Sequence, residues 1–247
     1  MSAIATLNPH WPNAPDNIGA LSTLRGGGVS VAPYDSFNLA LHVGDDAATV
    51  LQNRALLKNL LPAEPAWLTQ VHGNLVVDAA SVQGAPAADA SFTNQAGVVC
   101  AIMTADCMAV LLRDRRGSVV GAAHAGWRGL AGGVLDNTIK AMRQAGADEV
   151  LAWLGPAIGP QHFEVGDDVR AAFAHLGAQA DAAFKSIAGK PGKYLADLPR
   201  LARLTLAAAG VAHVTGGDYC TVSDAHRFYS FRRDQVTGRM ASLIWLK

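Results

Sequence analysis

Short apolar stretches of strand length recur along the chain and alternate with segments of helical periodicity. Seven stretches predict β-strands, and they lie at 66–71, 97–103, 108–113, 118–123, 150–154, 211–215 and 241–246. Four segments with apolar residues at helical spacing predict helices, and they lie at 50–61, 134–142, 169–176 and 198–208. Because strands interleave with helices, the pattern predicts an α/β domain.

Capping residues and short connections refine this pattern. Asp46, beside Asp45, predicts the N-cap of the first helix, and Pro62 predicts its end. Glycines close the other three helices. The strands at 97–103, 108–113 and 118–123 are joined by connections too short for crossover helices, so we expect them to pair antiparallel. The sheets are therefore predicted to be mixed (α+β) and not doubly wound and parallel.

Composition narrows the class of protein. Half of the residues are apolar and only 16% are charged, which supports a packed core. Twenty basic and twenty acidic residues give zero net charge, which disfavours nucleic acid as a partner. Three cysteines without a CxxC pair favour a reducing, cytoplasmic setting over a disulfide framework. No secretory signal or apolar run of membrane-spanning length is evident, so we expect no membrane association.

Polar and reactive residues collect where predicted strands end. These segments are 69–73, 104–107, 124–129 and 231–234. His72, Cys107 and His124 lie in three of them. Imidazole and thiolate are ligands that Zn²⁺ prefers, and three protein ligands leave a fourth position for water, whose pKa then falls to about 7. The residues predict a catalytic zinc site. Three unrelated structural residues, or a metal-free pair with Cys107 as nucleophile, are the alternatives.

Four further residues are candidates for substrate binding. Arg128 lies in a glycine-rich turn before a helix, which suits phosphate or carboxylate, although a tight structural turn explains the same glycines. Arg232 lies beside aromatic residues, which suits binding of a planar or anionic substrate. A surface cluster of ion pairs is an equally compatible interpretation. Asn38 and His42 could reach the same pocket or orient a turn.

Eight short sequences, in this order, resemble those of the laccase-domain family. They are NLALHVGDD, WLTQVHG, ADA at 88–90, TADCMAVLL, AAHAGWRGLAGGV, WLGPAIGPQHFEVG, YCT, and FYSFRRD with TGRMA. The resemblance covers residues 18–247, and so many motifs in register are highly specific. It implies one compact domain over residues 1–247, with layered mixed β-sheets flanked by helices. Members of the family carry the names multicopper polyphenol oxidase, purine nucleoside phosphorylase and peptidoglycan editing factor.

The resemblance also implies ligands and an activity. His72, Cys107 and His124 match the zinc ligands of the family. The implied activity is phosphorolysis of adenosine, inosine, guanosine or methylthioadenosine to base and ribose 1-phosphate, with deamination of adenosine to inosine. Multicopper chemistry fits less well, because it needs about ten imidazoles in His-x-His pairs, whereas the chain has eight histidines and no such pair. A single site of two nitrogens and one sulfur could still bind copper.

The hypothesis favoured by these observations is a zinc-dependent purine nucleoside enzyme. Zinc-bound water would attack C6 of adenine, Asp106 or His42 would move protons, and Arg128 or Arg232 would hold phosphate. The alternatives are an amidase that removes a wrong amino acid from a peptidoglycan precursor, a copper-dependent polyphenol oxidase, and a non-catalytic metal-binding protein. We expect purine nucleosides and phosphate as partners, and compactness with zero net charge favours a monomer over a dimer.

Overall fold

A six-stranded mixed sheet forms the centre of the molecule. The structure is a computed structural model and describes residues 4–247. The strands of this sheet are, in spatial order, β12 (His213–Gly216), β8 (Val150–Leu154), β6 (Met108–Asp114), β7 (Val120–Ala125), β4 (Ala90–Thr93) and β3 (Val76–Asp78). The two outer pairs, β12 with β8 and β3 with β4, are parallel, and the three inner pairings are antiparallel. The prediction of mixed sheets is confirmed.

A second sheet packs against the first. It has four antiparallel strands, which are β1 (Thr6–Leu7), β2 (Ile18–Thr23), β13 (Met240–Leu246) and β5 (Val99–Thr104). Ile102 and Ile244 from this sheet pack with Leu111 and Ala122 from the six-stranded sheet. Both faces of β5, β6 and β7 are buried, which explains why these strands are apolar runs without polar alternation.

Helices cover the outer faces of the two sheets. On the six-stranded sheet, α3 (Val134–Gln144) and α6 (Leu198–Ala208) pack against the side chains of Val110 and Leu112. On the four-stranded sheet, α1 (Ala47–Lys58) packs Leu57 against Val99. The order of layers is helix, sheet, sheet and helices, so the predicted mixed α/β fold with layered sheets and flanking helices is confirmed.

Smaller elements complete the described chain. A third, antiparallel sheet contains β10 (Phe184–Ser186), β11 (Lys193–Ala196) and β9 (Glu164–Gly166). The short helices are α2 (Trp127–Ala131), α4 (Asp167–Ala172), α5 (Ala178–Asp181) and α7 (Phe231–Asp234), with 3₁₀ turns at Ala79–Ser81 and Ala174–Leu176. Across residues 4–247, no helix combines the length and hydropathy needed to cross a bilayer.

Two strand predictions are corrected by the structure. β6 and β7 form the predicted antiparallel hairpin, but β5 pairs with β13 and not with β6, because the turn at 104–107 passes from one sheet to the other. The segment 66–71 makes only isolated bridges at Ala66 and Thr69. Its N–H groups bond to the carbonyl of Val99 in β5 at Ala66, to loop carbonyls at Trp67 and Thr69, and to the side chain of Asp89 at Val71.

Two helix predictions also differ at their ends. Asp46 caps α1 as predicted, accepting from the N–H of Thr49, but the helix ends at Lys58, before Pro62. The predicted helix at 169–176 breaks at Phe173 into α4 and a 3₁₀ turn.

Candidate metal centre

His72, Cys107 and His124 meet where β6 begins and β7 ends. One ligand atom from each residue lies within 4.8 Å of the other two. Cys107 Sγ lies 3.8 Å from His72 Nε2, and the two imidazole ring centroids are 4.8 Å apart. The structure therefore brings together three residues that the sequence places far apart, and we call them the His–Cys–His cluster. Among residues 4–247 no other group of three or more His, Cys, Asp or Glu side chains converges in this way.

The β6–β7 hairpin and its neighbouring turns set this geometry. Met108 pairs with Ala125, so Cys107 and Gly126 face each other at the end of the hairpin. A Cβ on Gly126 would lie 2.9 Å from Cys107 Sγ, so only glycine leaves room for the sulfur. His72 and Asp106 have φ angles of 60° and 85°, which non-glycine residues rarely adopt and which occur at functional sites.

Asp89 holds two of the three cluster residues in place. Its carboxylate lies 2.8 Å from His124 Nδ1 and accepts from the backbone N–H groups of Val71, His72 and Gly73 at 2.7–3.1 Å. Its carbonyl oxygen also accepts from the N–H of His124 at 2.7 Å. Because Nδ1 of His124 is engaged by Asp89, the free Nε2 faces the other two residues. A carboxylate behind a histidine in this way is typical of metal sites.

The polar contacts shift the ionisation of these groups. Burial disfavours the Cys107 thiolate, but hydrogen bonds with His124 and His72 outweigh burial and lower the thiol pKa to about 6. Burial likewise opposes protonation of His124, but hydrogen bonds with Asp89 and Cys107 raise its pKa to about 9. Burial would raise the pKa of Asp89, and its hydrogen bonds, first that of His124, lower it. Without a metal, the arrangement therefore favours a thiolate beside a cationic imidazole at pH 7.

The cluster fits a Zn²⁺ ion. Bonds of about 2.1 Å to nitrogen and 2.3 Å to sulfur place tetrahedral ligand atoms roughly 3.5 Å apart, which is close to the 3.8 Å between His72 Nε2 and Cys107 Sγ. His124 is buried, Cys107 is half-buried and His72 is exposed, so the exposed side is open for a fourth ligand. Catalytic zinc sites have three protein ligands and one open position, and two imidazoles with one thiolate are a suitable set of donors. Cu²⁺ can bind to the same donors.

Two cavities adjoin the cluster, and both are lined by His72, Ala105, Cys107 and Phe231. The first, which we call the Arg239 cavity, has a volume of about 290 Å³ and is also lined by His42, Gln70, His124 and Arg239. The second, the Arg232 cavity, has a volume of about 180 Å³ and is also lined by Asp106, Trp127, Arg128, Phe163 and Arg232. The His–Cys–His cluster therefore lies at the junction of two adjoining cavities.

Three of the four predicted substrate-binding residues reach these cavities. His42 lines the Arg239 cavity, and Arg128 and Arg232 line the Arg232 cavity. Asn38 does not, because its side chain is fully buried. Its amide nitrogen donates to Ala40 and Asp45, and its amide oxygen accepts from the N–H groups of Ala40 and Arg239. Asn38 therefore contacts the cavity only through the backbone of Arg239.

Asp106, predicted to move protons, is engaged in two short hydrogen bonds. One carboxylate oxygen accepts from Thr221 Oγ1 at 2.6 Å and the other from the backbone N–H of Arg232 at 2.6 Å. The carboxylate is buried, and it ties β6 to the start of α7. Through the hydrogen bond to its backbone N–H, Asp106 positions Arg232, and each carboxylate oxygen keeps one further lone pair.

Several residues of the site escaped the analysis of the sequence. Asp89 carries a signal only in retrospect, as a lone charge between apolar residues at 88–90. Gln70 exchanges two hydrogen bonds of 2.8 Å with the backbone of Met103, which fixes the segment before His72. Phe231 lies in the segment 231–234 that the sequence marked as polar and reactive, whereas Arg239 and Phe163 line the cavities through folding of distant segments, which no local pattern reveals.

Known proteins resemble the chain over nearly its whole length. The family model described as "Multi-copper polyphenol oxidoreductase laccase" matches residues 19–247. A protein of Pseudomonas aeruginosa named purine nucleoside phosphorylase is 53% identical over 98% of this chain and 99% of its own length. Purine nucleoside phosphorylase YfiH of Escherichia coli is 50% identical over 96% of this chain and 97% of its own length.

Solved structures agree with this relationship. A Neisseria meningitidis protein superposes with a TM-score of 0.92 at 50% identity, covering all of both chains. YlmD of Geobacillus stearothermophilus gives a TM-score of 0.86 at 33% identity, covering 94% of this chain and 93% of its own. With the family model and these relatives matching nearly end to end, the chain belongs to the multi-copper polyphenol oxidoreductase laccase family, whose curated members cited above are named purine nucleoside phosphorylases.

Proposed function

We propose that the chain is a zinc-dependent purine nucleoside phosphorylase. It converts adenosine to adenine and ribose 1-phosphate, acts on inosine, guanosine and methylthioadenosine, and also deaminates adenosine to inosine. The observation that carries the proposal is the convergence of His72, Cys107 and His124 within 4.8 Å, beside two cavities. The names of the relatives supply the substrate class.

The donor set supports zinc as the resident metal. His72, Cys107 and His124 would hold the ion, and Asp89 would orient His124. When bound there, Zn²⁺ would supply a Lewis acid beside the cavities and would lower the pKa of water. A four-copper centre would need many more imidazoles than the single cluster found within residues 4–247, so we favour one metal ion.

The Arg239 cavity suits the nucleoside. Its volume of about 290 Å³ lies near the ~300 Å³ lower limit of small-molecule pockets. Phe231 is 49% exposed and offers an aromatic surface against which a purine ring can stack. Gln70 lines the same cavity but has both amide groups bonded to Met103, so it forms a fixed wall.

His42 is the residue best placed to move a proton. It lines the Arg239 cavity without belonging to the cluster. Burial, together with the charges of Arg239 and Arg54, lowers the pKa of His42. The imidazole is therefore neutral at pH 7 and can exchange a proton with a purine nitrogen.

The test is chromatography of the purified holoenzyme incubated with adenosine, with and without phosphate. We expect adenine only when phosphate is present, and inosine in both cases. The Cys107→Ala variant is expected to form neither product, whereas Cys100→Ala, which changes a cysteine outside the cavities, is expected to retain both. Wild-type protein that contains zinc but consumes no adenosine would overturn the proposal and direct attention to amide hydrolysis on a peptidoglycan precursor.

A further inference from the structure

Arg128 and Arg232, which line the Arg232 cavity, are among the arginines of the described chain that have no acidic partner. Six arginines form ion pairs with carboxylates, and they are Arg25, Arg115, Arg116, Arg170, Arg227 and Arg233. Within residues 4–247, neither Arg128 nor Arg232 forms such a pair. The side chain of Arg232 donates one hydrogen bond, to the carbonyl oxygen of Glu164 at 3.2 Å. Most of the N–H groups of these two guanidinium groups are therefore available to a ligand.

The one acidic side chain that lines this cavity does not neutralise them. Asp106 uses both carboxylate oxygens for the hydrogen bonds with Thr221 and the backbone of Arg232. The nearby carboxylate of Glu164 pairs with Lys190 at 2.8 Å. Two guanidinium groups and one engaged carboxylate leave the cavity with a net positive charge, which favours an anion.

Aromatic side chains hold both guanidinium groups. Arg128 lies over the ring of Trp127 at 4.2 Å, and Arg232 lies over the ring of Phe163 at 5.8 Å. Trp127 and Phe163 also line the cavity. A contact with an aromatic ring uses none of the N–H donors of the guanidinium group, so these contacts place both arginines while their N–H groups stay available to an anion.

We infer that the Arg232 cavity is the binding site for inorganic phosphate, held by Arg128 and Arg232. Its volume of about 180 Å³ is smaller than the 290 Å³ of the Arg239 cavity, which matches an ion smaller than a nucleoside. Arginine binds the oxygens of phosphate in a bidentate manner. The assignment deepens the proposed function and rests on it, since it gives each of the two substrates its own cavity.

This arrangement defines the reaction that the two cavities permit. A phosphate oxygen entering from the Arg232 cavity forms the bond to C1′ of the ribose, and the N9–C1′ bond breaks. The electron pair of that bond goes to N9, which takes up the proton that hydrogenphosphate carried. The products are free purine and ribose 1-phosphate, and Arg128 and Arg232 stay charged throughout.

Equilibrium dialysis of the holoenzyme with radiolabelled inorganic phosphate tests the site. We expect saturable binding to the wild type and roughly tenfold to hundredfold weaker binding to Arg128→Gln and to Arg232→Gln, because each removes charged hydrogen bonds. Arg143→Gln is the matched control, since Arg143 is also exposed and also donates to one backbone carbonyl, that of Ala209, outside both cavities. It is expected to bind phosphate like the wild type.

Kinetics sharpen the assignment. In Arg128→Gln and Arg232→Gln, the KM for phosphate is expected to rise at least about tenfold, with a much smaller change in the KM for adenosine.

Three results of the phosphate-binding experiment would overturn the assignment. They are binding that is unchanged in both variants, no binding to the wild type, and binding that is lost in Arg239→Gln instead. The assignment would also be overturned if the protein bound adenosine 5′-phosphate more tightly than free phosphate and this binding depended on Arg128. Phosphate binding with the predicted variant pattern but without adenosine turnover would refute the proposed function and leave the phosphate site standing.

Discussion

Cys100 and Cys107 lie seven positions apart in the sequence and have opposite chemistry. Cys100 is fully buried in β5, between the two sheets, and burial raises the pKa of its thiol to about 12. Cys107 lies just beyond the strand, where the chain crosses between the sheets. There burial opposes ionisation, yet His124 and His72 lower its pKa to about 6. Position in the fold therefore makes one cysteine a core residue and the other a metal ligand candidate.

The comparison shows where the chemistry of the site originates. Around Cys100 the neighbours are mostly apolar side chains of both sheets, and the hydroxyl of Ser91 lowers the pKa of its thiol by less than burial raises it. Around Cys107, two imidazoles arrive from separate segments, and Asp89 anchors both. The reactive character of Cys107 depends on tertiary contacts, and removing those contacts should make the two cysteines more alike.

The largest expected effect is the loss of activity on substitution of Cys107. Cys107→Ala removes the sulfur ligand, so we expect zinc content and kcat/KM for adenosine to fall more than about a hundredfold, since even outer partners of metal ligands are worth 10- to 100-fold. Cys100→Ala should keep both near wild-type values. Metal analysis and steady-state kinetics of the two variants measure the contrast, and equal activity would show that the cluster has no part in turnover.

Removing the anchor should weaken the metal site without removing a ligand. Asp89→Asn keeps the shape of the side chain but loses the charge that supports His124 and the hydrogen bonds to the loop of His72. We expect zinc affinity to fall about 10- to 100-fold, measured by competition with a chromophoric chelator. An affinity equal to that of the wild type would mean that Asp89 supports the fold alone.

The pH dependence of thiol alkylation should distinguish the two cysteines in zinc-free protein. The lowered pKa of Cys107 predicts that its alkylation rate rises with pH around a midpoint near 6, because the thiolate is the reacting form. At pH 7 this gives roughly thirtyfold more thiolate than an ordinary thiol of pKa about 8.5. Cys100 should stay unlabelled until the protein unfolds. Peptide mass spectrometry identifies the labelled residue, and a Cys107 midpoint above 8 would contradict the geometry.

The smallest expected effect comes from the space beside Cys107. Gly126→Ala places a Cβ about 2.9 Å from the sulfur, so either the hairpin end or the thiol must shift. We expect a loss of about 1–3 kcal/mol in the free energy of unfolding and a severalfold weaker affinity for zinc. Denaturant unfolding and the chelator competition measure these. Gly26→Ala is the check on the general effect of alanine in loops, since Gly26 has no positive φ and a Cβ there contacts nothing within 4 Å.

The parts of the molecule that local sequence patterns encode were predictable. The cap at Asp46, the β6–β7 hairpin and the apolar runs of β5 and β13 follow from residue periodicity and capping chemistry. The residues of the His–Cys–His cluster were predictable because imidazole and thiolate are scarce and lay at strand ends. Their convergence is a structural finding, and their role as metal ligands stays a prediction.

What local patterns could not reveal depends on contacts between distant segments. The assignment of β5 and β6 to different sheets depends on the partner β13, more than a hundred positions along the chain. Asp89 is recognisable only once His124 and the loop of His72 are beside it. For Asn38 the sequence left open whether the side chain reaches the pocket or orients a turn, because only the folded chain brings Asp45 and Arg239 to its amide.

Zinc K-edge absorption spectroscopy of the purified wild-type protein tests the central claim most directly. We expect a metal bound by one sulfur at about 2.3 Å and two imidazole nitrogens at about 2.0–2.1 Å, with one further light ligand. In Cys107→Ala supplied with enough zinc to load the weakened site, the sulfur contribution should disappear. A coordination shell without sulfur in the wild type, or a spectrum unchanged by the substitution, would contradict the assignment of His72, Cys107 and His124 as the metal centre.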